Sequence, residues 1–136
     1  MPRHKTNRFG RVEDFGALEA KDVPAFVERC GAVIGQRQDF SLPIQEIIRL
    51  AREHGAKVIL VEMPMPSHHR QLFYSTEVWR QTRDWLESLA ARYQAIYLPA
   101  SDFVENDALF EDATHLNEQG AKIFSARLAE RIGSIE

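Results

Sequence analysis

Asp112-Ala113-Thr114-His115-Leu116-Asn117 sets an acid three residues ahead of a histidine. In a turn, that spacing can hold the carboxylate against one ring nitrogen, which fixes the tautomer and stabilises the imidazolium. The other nitrogen can then take a proton from a hydroxyl or a water. Acyl transfer needs this pairing, because a lone neutral imidazole is neither oriented nor compensated when it becomes charged. Asp112 is the candidate orienting acid and His115 the candidate general base. The plainer alternative is a loop leading into a helix, with Asp112 accepting backbone N–H bonds and His115 a surface residue.

Elements on either side must position the pair. Asn117 is an N-cap residue ahead of a helix predicted to bury Ala121, Phe124, Leu128 and Ile132. Upstream, Lys57 to Glu62 reads as a strand buried on both faces, ended by Met63-Pro64-Met65-Pro66. A helix over 76–93 shows one face through Val78, Thr82, Trp85, Leu86, Leu89 and Tyr93, with Trp79 expected to be exposed. Ala95 to Leu98 is a second strand, stopped by Pro99, and 100–116 is a loop with one helical turn near Phe103. Before them, a short helix runs from Val23 to Val33 and stops at Gly35. A second starts after Ser41, buries Ile44, Ile47, Ile48 and Ala51, and stops at Gly55.

This alternation predicts an α/β fold with a small parallel sheet flanked by helices. Residues 63–75 and 99–116 both leave the carboxyl ends of strands, the edge where ligands bind in open α/β sheets. His68, His69 and Glu62 are therefore candidates for the rim of the same site. Ser67 lies there too and is a possible nucleophile. It sits on no strand-to-helix elbow, and no glycine beside it opens an oxyanion hole. As a zinc set, His68, His69, His115 and Asp112 offer three nitrogens and an oxygen. Adjacent residues on an extended loop point apart, however, so no metal and no cofactor is expected.

Composition narrows the classes. The 136 residues are 44% apolar and 27% charged, an ordinary globular balance. We expect a weakly ordered basic segment over residues 1–21 and a single α/β domain over 22–136. The first eleven residues hold four of the seventeen basic residues and no acid, leaving thirteen basic against twenty acidic beyond them. A body this acidic repels phosphate backbones, so no nucleic-acid partner is expected. No apolar run reaches the roughly 18–20 residues of a transmembrane helix, and no apolar leader follows Met1. Cys30 is the single cysteine, so a reducing, cytoplasmic setting is expected. A two-stranded sheet has two open edges, which predicts a homodimer, or residues 1–35 folded over an edge.

Phe110 to Asn117, followed by Gly120-Ala121 and Phe124-Ser125, resembles the last block of the SGNH (GDSL-type) hydrolase superfamily. The likeness is greatest to the branch with alginate O-acetyltransferase-like and DltD-like proteins, where Asp-x-x-His-Leu-Asn precedes the C-terminal helix. Val58 to Glu62 with Pro64 and Pro66 resembles the preceding strand and loop of that branch. The chain has no Gly-Asp-Ser-like nucleophile block and no Gly-x-Asn-Asp block, and Val104-Glu105-Asn106-Asp107 reads as a chance match. What it resembles is the C-terminal half of the flavodoxin-like three-layer fold. The resemblance implies ester hydrolysis or O-acyl transfer, with a small acyl ester or an acylated saccharide as substrate. A truncated, non-catalytic binding module is the alternative.

Overall fold

The computed structural model describes residues 20–135, so all but the end of the basic segment expected over 1–21 lies outside them. In chain order the elements are α1 (Val23–Gly35), α2 (Leu42–Glu53), β1 (Ile59–Glu62), α3 (Ser67–His69), α4 (Glu77–Arg92), β2 (Ile96–Pro99) and α5 (Glu118–Gly133). Short 3-10 turns add Ala20–Asp22 and Asp107–Leu109. Contacts group 23–62 and 73–99 in one compact unit, and 20–22, 63–72 and 100–135 in another. Among the described residues the fold is α/β, with five helices and a two-stranded parallel sheet.

The first unit contains the sheet. β1 and β2 run parallel in the register Ile59↔Ile96, Leu60↔Tyr97, Val61↔Leu98 and Glu62↔Pro99. Both strands are reached through the same kind of joint. After α2, Gly55 adopts φ 72°, Ala56 N–H donates to Ala51 C=O at 2.8 Å and Gly55 N–H donates to Arg52 C=O at 2.9 Å. After α4, Gln94 takes the left-handed conformation at φ 58°, with Ala95 bonded to Ala90 at 2.8 Å and Gln94 to Ala91 at 3.0 Å. Each is a Schellman ending, which satisfies the last carbonyls of the helix while turning the chain back. The core between them is Ile48, Ala90 and Ala95, with Phe40, Val58, Leu60, Tyr93 and Tyr97 against it.

Three expectations are corrected here. Of the stripe expected on α2, Ile48 is buried and Ala51 half-buried, but Ile44 and Ile47 are exposed. Periodicity finds an apolar face without showing that anything covers it. β1 is shorter than expected and begins at Ile59, while β2 is shifted by one position to Ile96–Pro99 and includes the proline expected to stop it. Trp79 is half-buried rather than exposed: its ring stacks on Tyr74 with centroids 4.1 Å apart, and Phe26 of α1 lies 6.0 Å away.

In the second unit, residues 63–72 and 100–135 pack together. Pro64 and Pro66 are fully buried, and Met65 N–H donates to Ser101 C=O at 3.2 Å. Where a polar loop was expected, α3 begins at Ser67 and continues as a π-type turn over Arg70–Tyr74. Pro66 at φ −59° already has the dihedral a helix start requires. Ala100–Phe103 closes a turn through a 3.1 Å bond, and the regular 3-10 turn comes later, at Asp107–Leu109. On α5 the buried stripe is Gly120 and Phe124, with Leu128 half-buried; Ala121 and Ile132 face solvent. Gly120, which lies close against Leu109, takes the buried place expected for Ala121, while Phe124 and Leu128 keep theirs.

Candidate active site

The loop carrying the acid and the histidine is closed at its base. Phe110 and Leu116 form an antiparallel bridge, and Glu111 N–H donates to His115 C=O at 2.7 Å. Asn117 ties that base to its neighbours on both sides. Its backbone N–H donates to Leu109 C=O at 2.9 Å, and its side-chain amide donates to Ala108 C=O at 2.8 Å. Its side-chain oxygen accepts Gly120 N–H at 2.9 Å, the N-cap bond that starts α5. One residue thus joins the 3-10 turn, the loop and the helix.

Within the loop, Asp112 folds back over its own chain. Oδ1 accepts the backbone N–H groups of Thr114 at 2.9 Å and His115 at 2.8 Å. His115 Nδ1 lies 2.8 Å from Oδ1 and 2.9 Å from Oδ2. The backbone bonds place the carboxylate, and the carboxylate then places the ring. Asp112 has a 9% exposed side chain and His115 a 55% exposed one. Burial pushes the Asp112 carboxyl up, but the N–H bonds from Thr114 and His115 and the adjoining imidazole outweigh it and hold it below the ordinary carboxylate range. An ionised Asp112 accepts the Nδ1 proton, which leaves Nε2 with a lone pair. Among the described residues no hydrogen bond occupies Nε2. The arrangement can draw a proton from an approaching hydroxyl or water.

Thr114 Oγ1 also lies 3.1 Å from His115 Nδ1 and 3.4 Å from Asp112 Oδ1. The plainer expectation, an Asp accepting loop N–H bonds, describes the same side chain. The two roles coexist because a carboxylate has several acceptor positions.

Ser67 is committed elsewhere. It donates its backbone N–H to Asp107 Oδ1 at 2.8 Å and its hydroxyl to Asp107 Oδ2 at 2.5 Å. Its single hydroxyl proton therefore goes to a carboxylate and not to an imidazole. Burial raises the Asp107 carboxyl, while the two Ser67 bonds and the charge of Arg70 lower it further than burial raises it. Asp107 escaped the sequence reading, since its partner is forty residues away. The visible signal was Asn106, whose side chain caps Ala108 N–H at 3.0 Å and marks a turn there.

The remaining candidates separate. His68 and His69 are half-buried on α3, and burial, with His68 beside it, holds the His69 imidazole below its ordinary value. Among the described residues no group of three His, Cys, Asp or Glu side chains is arranged to hold a metal ion. Glu62 is a candidate for the rim by sequence, and it is buried. Arg83 of α4 grips it through two bonds of 2.7 and 3.1 Å, and the Tyr97 hydroxyl donates to it. The bond to Glu62 raises the Arg83 guanidinium, and burial followed by the hydrogen bond to Glu62 raises the Tyr97 phenol.

No helix among the described residues is long and apolar enough to cross a membrane. No family model, curated protein or solved structure matches the chain.

Proposed function

We propose that Asp112 and His115 act as the orienting acid and general base of ester hydrolysis or O-acyl transfer. The observation that carries this reading is the pair of bonds from His115 Nδ1 to both Asp112 oxygens, with the ring otherwise open to solvent. The resemblance of Phe110 to Asn117 to the last SGNH-hydrolase block adds to it. In the proposed step, Nε2 removes the proton from a hydroxyl or water as its oxygen bonds to the acyl carbon. The tetrahedral intermediate then expels the alkoxide, and Nε2 returns the proton to it. Water as acceptor gives an acid and an alcohol; a second alcohol gives a new ester. Asp112 stays ionised throughout and offsets the imidazolium charge.

The substrate class is a small acyl ester or an acylated saccharide, with no cofactor. The setting is the cytoplasm, on the strength of a single thiol. A second reading, a non-catalytic binding module, is favoured by one observation: the Ser67 proton is held by Asp107.

Turnover of p-nitrophenyl acetate separates the two. Catalysis predicts turnover that His115→Ala abolishes and Asp112→Asn lowers by roughly 10²–10⁴-fold. Turnover that is absent, or unchanged in His115→Ala, removes the catalytic reading.

A further inference from the structure

We propose that the outer edge of β1 is an interface with a second copy of this chain, joined by antiparallel pairing of the two β1 strands about a two-fold axis at Leu60. The proposal is independent of the chemistry at His115. Ile96 N–H donates to Val58 C=O at 2.9 Å, so Val58 and Leu60 turn their peptide groups toward β2. Successive peptide groups in a strand face opposite ways, so Ile59 and Val61 turn theirs outward. Among the described residues β1 pairs with β2 alone, so no described strand lies along that edge.

The edge is complementary to itself. With Leu60 on the axis, Ile59 falls opposite Val61 of the second copy, and Val61 opposite its Ile59. Both are outward-facing residues, so each pair exchanges two backbone bonds, and the two Leu60 side chains meet in the closer, non-bonded pair between them. Every side chain from Val58 to Val61 is aliphatic, a favourable cross-strand set. In the same register Lys57 meets Met63 and Glu62 meets Val58, so no like charges face each other. Natural edges are commonly blocked by an inward charge or a proline, and none occurs between Val58 and Val61.

The neighbouring helix points the same way. α2 covers the sheet face bearing Val58 and Leu60 through Ile48, and it leaves Ile44 39% and Ile47 62% exposed. An axis through Leu60 puts both copies of α2 on one face of the joined sheet, where that apolar surface finds a partner. The match at backbone, side-chain and charge level selects a second copy over a strand of unrelated sequence.

Light scattering coupled to gel filtration, at tens of micromolar, tests this on the full chain. The expected mass is twice the 15.6 kDa protomer. Ile47→Lys changes an exposed side chain and Val61→Pro removes one outward N–H; each is expected to give the protomer mass with unchanged far-UV circular dichroism. The Ile59 and Val61 amides should exchange with deuterium at least tenfold faster in Ile47→Lys than in the wild type. A wild-type protein of protomer mass overturns the proposal. So do a dimer with fast-exchanging Ile59 and Val61 amides, a dimer that survives Ile47→Lys, and an open-ended series of larger assemblies.

Discussion

A Cβ on Gly120 would lie 2.1 Å from the carbonyl oxygen of Leu109. That carbonyl also accepts the Asn117 N–H, at the base of the loop that carries Asp112 and His115. The helix therefore approaches the 3-10 turn at a distance only glycine permits, and the loop cannot move aside without giving up that bond.

Gly120→Ala is expected to destabilise the fold by roughly 1–3 kcal/mol, the usual range for forcing a methyl into filled space. Urea denaturation gives the value. Helix propensity alone predicts the opposite sign, since alanine is the better helix former by about 1 kcal/mol. A stabilised variant would therefore show that the loop gives way easily.

Acid should weaken the unit that holds the loop. The folded-state pKa values of Asp107 and Asp112 lie below the ordinary 3.8. The folded state thus binds fewer protons than the unfolded chain in that range, and stability rises with pH there. The contribution is complete above the ordinary carboxylate value and is lost as pH falls through the folded one. Urea midpoints between pH 2 and pH 6 should show the decline. Asp107→Asn should make it shallower, because one of the two groups no longer titrates.

Arg83→Met should cost more than an ordinary surface substitution. It takes the two Arg83 guanidinium bonds away from the buried Glu62 carboxylate, which keeps the Tyr97 hydroxyl. Fully buried pairs lose about 3–5 kcal/mol on such a change. The Arg83 side chain is 36% exposed, and solvent screening reduces the expectation to roughly 2 kcal/mol. Adding Glu62→Leu to Arg83→Met should recover part of the loss. Thermal and urea melts of the two single variants and the double form the cycle.

Local rules read the α/β alternation, the parallel pair, Asn117 as a cap and Asp112 beside His115, because each depends on residues a few positions apart. Cover and distance were harder to read. Ile44 and Ile47 carry the right period, and the period says nothing of what lies opposite. Ala121 looked like a core residue until the approach of Leu109 made Gly120 the buried position. Glu62 looked like a rim residue because Arg83 and Tyr97 lie 21 and 35 positions further along. Asp107 was missed for the same reason. Ser67–Tyr74 looked like a loop by composition, while Pro66 and the Asp107 carboxylate supply a helix start.

The matching turns after α2 and α4 act as a timing device for the sheet. β1 begins four residues beyond Gly55 and β2 two residues beyond Gln94, and the register Ile59↔Ile96 depends on both spacings. One extra residue in either turn would slip that strand by a single step and swap its inner and outer side chains. Leu60 would leave the core it shares with Ile48, or Tyr97 would lose its reach to Glu62. The joint after α4 carries the heavier burden, because Gln94 adopts there, with a full side chain, a backbone shape that Gly55 adopts freely.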